Sequence, residues 1–401
     1  MLFLVAAIAE EEPWNNPNPA TLPGCLDKCG NISIPYPFGM EPGCFLPGFH
    51  VTCNYSFEPP RLFLAFGDTG KFNRHLVVNV SCPSGGGTDC GEVGKRQPLP
   101  VELLDISLTR AEARAYGMIR SNCYTGTARI RTAQVTNLID PFMLTPIRNA
   151  LVGVGRSIMV NMVECSTETT SGTMLRCLSD TMFNPETARN GLCSGMGCCQ
   201  SIVRPALRDF QNFGVVFREV ENNMPNCSYG MVVETSWYNF TTEDMSGYDV
   251  LPKKFPRGVP LVLDFAIRSG SCPLEGEPVP PDYACRSDKS TCAKANNGPG
   301  YICKCLEYYH GNPYIPNGCK DIDECALRNE YPELQNNYTC ASGGICKNRN
   351  EGYDCPCKFG MKGDGKTGTC TEIFSPPAKV AVDDFGLRCQ TNRPPQRLRH
   401  C

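Results

Sequence analysis

The chain has 401 residues, 27 of them cysteine, and a formal net charge of −3. Thiols at that density are a liability in a reducing compartment, so the cysteines point to the secretory pathway. A mildly acidic chain also lacks the strongly basic face that phosphate backbones demand, which argues against nucleic acid as the partner.

Taken in chain order, Leu2–Ala9 is a short apolar run of signal-peptide character without a basic flank. Short apolar, β-branched segments bounded by turn residues follow at Arg61–Phe66, His75–Val80, Phe213–Phe217 and Gly230–Glu234, and they read as strands. Ser107–Met118, with Arg110, Ala111, Ala113 and Ala115 as helix formers, reads as a helix. Gly195-Met-Gly197 starts like a phosphate-cradling loop, but Cys198-Cys199 follows, so it is expected to be disulfide framework. The best apolar stretches, Leu151–Val163 and Val259–Ile267, fall short of the ~20 residues a membrane span needs. Asn-x-Ser/Thr acceptors for N-glycans stand at Asn31, Asn54, Asn79, Asn226, Asn239 and Asn337.

Cysteine spacing tightens beyond the Pro-rich tether Pro273–Pro281, which sets the domains. The expected division is a signal-like segment and linker at 1–24, a large β-rich unit at 25–271, two small modules at 272–319 and 320–370, and a disordered tail at 371–401. The fold class is mainly β and disulfide-rich, because the small modules have too little core to fold without disulfides. The last module has six cysteines, Cys325, Cys340, Cys346, Cys355, Cys357 and Cys370, with one residue between the fourth and fifth. Spacing alone leaves 15 pairings open. The preceding unit repeats the step at Cys303-Lys-Cys305 and completes six cysteines only by including Cys272.

Both small units resemble epidermal-growth-factor-like modules. The resemblance implies the disulfides Cys272–Cys292, Cys285–Cys303, Cys305–Cys319, Cys325–Cys346, Cys340–Cys355 and Cys357–Cys370. Asp321-Ile-Asp-Glu-Cys325 together with Cys346–Cys357 resembles the calcium-binding version. It implies side-chain oxygens of Asp321, Glu324 and Asn348, and main-chain carbonyls of Ile322, Arg349 and Gly352, around Ca2+. All six donors are oxygen, as calcium requires. The first module should not bind calcium, since Arg268–Ser271 precedes its first cysteine and Lys294 stands where Asn348 does in the second. The resemblance also puts Asn348 at a β-hydroxylation position.

The sequence Cys25–Gly39, with Gly43-Cys44 and Cys53, resembles the galacturonan-binding region of the plant wall-associated receptor kinases, and Gly191–Gln200 and Asn226–Tyr229 resemble later parts of the same ectodomain. This implies a secreted or cell-wall ectodomain that binds pectin or oligogalacturonides, membrane-anchored in full-length relatives. Thirteen cysteines between 25 and 227 leave one over, so a free thiol or an altered pairing around Cys177 and Thr173 stays open. Uronate carboxylates call for Arg and Lys. The stretch from Lys71 to Arg131 is rich in them, with Lys71, Arg74, Lys95, Arg96, Arg110, Arg114, Arg120, Arg129 and Arg131 against Asp89, Glu92, Glu102, Asp105 and Glu112. Lys71, Arg74, Arg129 and Arg131 are the candidate polysaccharide contacts. His50, His75, His310 and His400 are too scattered for a catalytic or zinc pattern, so no enzyme is expected. Asp384-Phe-Gly386 resembles a fragment of a kinase metal-binding triplet, but no catalytic loop or nucleotide loop accompanies it. The alternative reading is an adhesive scaffold that binds extracellular proteins through the small modules.

Overall fold

The computed structural model describes residues 21–65, 73–83, 91–124, 128–165, 170–179, 187–205, 211–219, 227–274, 276–331 and 337–373. Leu2–Ala9, Lys71, Cys90 and the tail from 374 lie outside them. Contacts divide the described chain into one unit formed by 21–305 with 312–318, and a second formed by 306–311 with 319–373.

In the first unit, short apolar runs pair antiparallel into two sheets. The smaller has the order Phe142–Leu144, Val259–Phe265, Glu112–Gly117, Glu102–Ser107, Arg61–Leu64, Val51–Asn54. The larger runs Thr170–Ser179, Ile158–Cys165, Asn212–Glu219, Ala128–Asn137, Arg120–Tyr124, Cys227–Glu234, Asn149–Val154, Cys198–Ile202, with Arg74–Pro83 added on Ala128–Asn137 and Gly91–Pro100 on Arg74–Pro83. Both contribute to one apolar core: Leu62, Leu103 and Leu263 from the smaller sheet meet Leu151, Met162 and Val232 from the larger. Val259–Phe265 is buried at every position, as a strand covered on both faces must be. Phe38 stacks edge-on against Phe49 and Phe265, at 5.1 and 5.0 Å between ring centroids, which fixes the segment after Cys29 to this core.

The helix expected over Ser107–Met118 is a hairpin instead. Ser107 ends one strand, the chain turns through Ala111 at a φ of 53°, and Glu112–Gly117 forms the next strand. Burial alternates along it, with Ala113, Ala115 and Gly117 inward and Arg114 and Tyr116 half-exposed. That two-residue period, satisfied by pairing with Val259–Phe265, overrides the helix preference of alanine.

Disulfides staple the ends of the large unit at Cys25–Cys44, Cys29–Cys53, Cys123–Cys227, Cys177–Cys199 and Cys193–Cys198. Cys177 therefore bonds Cys199, while the side chains of Cys82 and Cys165 lie outside the described residues. Gly195-Met-Gly197 sits inside the tight Cys193–Cys198 loop.

Cys272–Cys292 and Cys285–Cys303 close the first small module, whose Cys305 and Cys319 are disulfide-bonded too. The module packs against the large unit rather than hanging from a free tether. Tyr301 and Tyr314 are buried with Tyr36, Leu46, Leu108 and Ile267 around them, and Ile267 and Tyr301 exchange backbone hydrogen bonds of 2.8 and 3.1 Å. Gly300 is required at that seam: its φ is +104°, and a Cβ there would lie 2.4 Å from the Ile267 carbonyl oxygen.

In the second unit, Cys325–Cys346, Cys340–Cys355 and Cys357–Cys370 join first to third, second to fourth and fifth to sixth. Its regular structure is small: the helix Glu324–Glu330 and paired strands Tyr309–Gly311 with Cys319–Asp321, Lys347–Arg349 with Gly352–Asp354, and Met361–Lys362 with Thr371–Glu372. No helix among the described residues is long and apolar enough to cross a membrane.

Candidate functional site

Two places in the chain, one in each unit, carry side chains arranged for a ligand. The first is an open cleft of about 630 Å³ in the large unit, framed by Thr52–Tyr55, Arg61–Ala65, Leu99–Glu102 and Pro256–Arg257. Four aromatic residues line it, Phe57, Phe63 and Tyr116 with Tyr55, which is 67% exposed. The charged groups are Arg61, Arg257 and Glu102. The Glu102 carboxylate lies between the two guanidiniums, 3.8 Å from Arg61 Nη1 and hydrogen-bonded by Arg257 Nη2. Each guanidinium also covers a ring, Arg61 at 3.9 Å from the Phe57 centroid and Arg257 at 4.5 Å from that of Tyr116.

The basic stretch read from the sequence fares differently. Arg114 is held between Asp105 at 3.2 Å and Glu234 at 2.8 Å. Burial works against its charge, but the two carboxylates raise its pKa overall. Arg110 pairs with Glu112 at 3.5 Å, and Arg120 is buried, donating to the Val215 carbonyl over the Phe217 ring. These three are structural. Arg74 is half-buried at the start of Arg74–Pro83. Arg129 and Arg131 stand two apart on Ala128–Asn137, opposite Cys82 and Val80, so they share a sheet face, but only their backbone is described. Lys71 lies outside the described residues, as do the side chains of Lys95 and Arg96. Of the candidate contacts, Arg74 has a described side chain, and it is not among the cleft-lining residues. Sequence reading missed Arg61 and Arg257 because both lie outside the basic stretch, Arg61 just before it and Arg257 far beyond it; Arg61 followed by alternating Leu-Phe-Leu on a strand was the available signal.

The second place is the start of the second small module. Asp323 caps the helix Glu324–Glu330 by accepting from the Ala326 amide at 2.8 Å. The helix packs on the hairpin of Lys347–Arg349 and Gly352–Asp354. Glu324 is 1% exposed, and neither carboxylate oxygen has a hydrogen-bonding partner on another residue. Burial, with Asp321 and Asp323 nearby, raises its pKa. The Asn348 Oδ1 is likewise buried without a partner, while its Nδ2 donates to Asp321 Oδ2 at 3.0 Å. Asp321 Oδ1 accepts from the Glu351 amide at 3.0 Å. Gly352, at a φ of +115°, places its backbone against the Tyr308 ring. Orphaned buried oxygens on an acid and an amide are what a hard cation would satisfy. Among the described residues no group of three or more His, Cys, Asp or Glu is gathered about one point.

Of the glycan acceptors, Asn31, Asn54, Asn239 and Asn337 are all exposed; the side chains of Asn79 and Asn226 lie outside the described residues.

Residues 25–92 match the family described as wall-associated receptor kinase galacturonan-binding. Over most of its length the chain is similar to the wall-associated receptor kinases. It is 28% identical over 371 residues to wall-associated receptor kinase 2 of Arabidopsis thaliana, covering 88% of this chain and 40% of that protein. Wall-associated receptor kinase 1 of the same plant is 27% identical over 354 residues, covering 86% and 40%. Wall-associated receptor kinase-like 6 is 28% identical over 366 residues, covering 84% and 48%. The chain thus spans less than half the length of these relatives.

Proposed function

We propose that this chain is a non-catalytic, extracellular, receptor-like ectodomain that binds unesterified pectic galacturonan and holds calcium in its second small module. The observation that carries the pectin reading is the match of residues 25–92 to a galacturonan-binding family, on a segment whose strands Val51–Asn54 and Arg61–Leu64 border the open cleft. Exposed charge pairs contribute only ~0–1 kcal/mol each, so retention on a polymer requires several carboxylate contacts at once, and long oligomers bind better than short ones.

The epidermal-growth-factor-like character of the small modules rests on their cysteine spacing and disulfide order, and the calcium reading on the orphaned oxygens of Glu324 and Asn348. Asp321, Glu324 and Asn348 side chains with the Ile322, Arg349 and Gly352 carbonyls provide six oxygens, the lower end of what calcium takes. Bound calcium would supply charge compensation and a rigid entrance to the module. Secretion and N-glycosylation follow from the same assignment and from the exposed acceptors Asn31, Asn54, Asn239 and Asn337.

The experiment is retention of the secreted chain on immobilised pectate beside methyl-esterified pectin. Retention on pectate alone, released by salt, is expected; equal retention on both overturns carboxylate recognition.

A further inference from the structure

We propose that the cleft bounded by Tyr55, Arg61, Glu102 and Arg257 is a uronate subsite, in which the two guanidiniums take the carboxylate of one sugar residue while its neighbours lie against exposed Tyr55 and Leu99. The proposal rests on the pectin-binding reading and adds where and how the ligand is held.

Three segments far apart in sequence build it. Arg61 comes from the strand Arg61–Leu64, Glu102 from the start of Glu102–Ser107, and Arg257 from the turn entering Val259–Phe265. Glu102 is the sole acid lining the cleft among the described residues, set against two arginines, so the cleft carries a net charge near +1 in a chain of −3. Its side chain is 10% exposed, whereas those of Arg61 and Arg257 are 30% and 39% exposed. The acid therefore acts as an internal counter-ion, leaving the outer edges of both guanidiniums to the cleft. A guanidinium has five N–H donors in a rigid fork, and among the described residues Glu102 is the only ion-pair partner of either arginine.

Stacking on Phe57 and Tyr116 holds each fork in its plane, so little side-chain freedom is lost when a carboxylate arrives. A planar carboxylate suits such a fork, and methyl esterification removes both its charge and one acceptor. Exposed Tyr55 and Leu99 offer apolar surface to the C–H faces of adjoining pyranose rings. The cleft is open rather than enclosed, as a polymer threading past requires, and its volume falls within the ~300–1,000 Å³ usual for small-ligand sites. An acidic peptide would satisfy the charges but not the exposed apolar surface of Tyr55 and Leu99, so the test includes one.

The test is calorimetric titration of the intact secreted chain with unesterified oligogalacturonate of defined length, its methyl ester, and a glutamate-rich peptide. Arg61→Gln and Arg257→Gln should each weaken oligogalacturonate binding about tenfold or more, as expected for losing a charge-assisted contact. Arg148→Gln, which removes a surface pair with Glu112 and Glu234, should leave it unchanged. Glu102→Gln should preserve or strengthen binding and steepen its salt dependence; a merely structural Arg-Glu-Arg clamp would show only a lower melting temperature. If the arginine variants fold poorly, Tyr55→Ala decides, because that side chain is exposed, and an unchanged affinity overturns the subsite. Wild-type binding that survives both arginine changes overturns the subsite and leaves the pectin reading standing. Absence of wild-type binding overturns the pectin reading itself. Equal binding of the peptide overturns the sugar assignment.

Discussion

His75 is enclosed where the two sheets meet, with Nε2 donating to the Tyr116 carbonyl at 2.9 Å and Nδ1 accepting from the Thr136 hydroxyl at 3.0 Å. That arrangement suits the neutral ring, and burial lowers its pKa to about 4. The unfolded chain takes up a proton near pH 6.5 and the folded one only near 4, so stability present above 6.5 is lost as pH falls between those values, by about 3 kcal/mol in all. Denaturant titrations across that window should show the loss, and His75→Gln should flatten it; an unaltered slope in the variant would assign the acid sensitivity elsewhere. A second residue-scale consequence concerns Asn54, which lines the cleft and accepts hydrogen bonds from the Ser56 amide at 2.9 Å and hydroxyl at 2.7 Å. A glycan on this exposed asparagine stands at the cleft mouth beside Tyr55. Chain with Asn54→Gln, made in a glycosylating host, should bind oligogalacturonate more tightly than wild type; equal affinity would remove the glycan from the site.

The two small modules show how one element type is secured in different ways. Four residues before the first cysteine, the second module has Asp321 and the first has Arg268. Arg268 reaches Asp264 at 2.9 Å, the Pro141 carbonyl at 3.2 Å and the Pro299 carbonyl at 2.9 Å, and also donates to the Asn297 carbonyl. The side chains of the Arg268–Asp264 pair are 4% and 2% exposed. This guanidinium ties the module loop to the strand Val259–Phe265 without any metal. Arg268→Gln should cost about 3–5 kcal/mol, the range for breaking a buried pair, equally with calcium and with chelator, as read by melting curves; a loss seen only in calcium would contradict the comparison. For the second module, Glu324→Ala should abolish calcium binding, whose dissociation constant is expected at about 10⁻⁴–10⁻³ M for an extracellular site; calcium titration with unchanged affinity would refute the ligand set. Disulfide order at this scale came from the resemblance to epidermal-growth-factor-like modules, because spacing alone leaves 15 pairings open; Cys325–Cys346, Cys340–Cys355 and Cys357–Cys370 follow that order. The Ser107–Met118 hairpin was not legible in the sequence, since alanine propensity hid an alternation whose meaning depends on a partner strand 142 or more residues away.

For the molecule as a whole, part of the charge excess between Lys71 and Arg131 is neutralised internally. Arg110, Arg114 and Arg120 are consumed by Glu112, Asp105 with Glu234, and the Val215 carbonyl. The arginines that face the cleft are drawn together only by the smaller sheet, with Glu102 and Arg257 separated by 155 positions. The first small module similarly belongs, by packing, with the large unit, although its cysteines mark it off in sequence. What was legible was the family signature in Cys25–Gly39 and the mainly β, disulfide-rich character. The cleft emerged only from the pairing of strands. The most direct test of the central claim is calorimetric titration of the intact chain with matched unesterified and fully methyl-esterified oligogalacturonates at low and high salt. The account predicts binding of the unesterified oligomer alone, weakening steeply as salt rises; equal affinity for both, independent of salt, would contradict it.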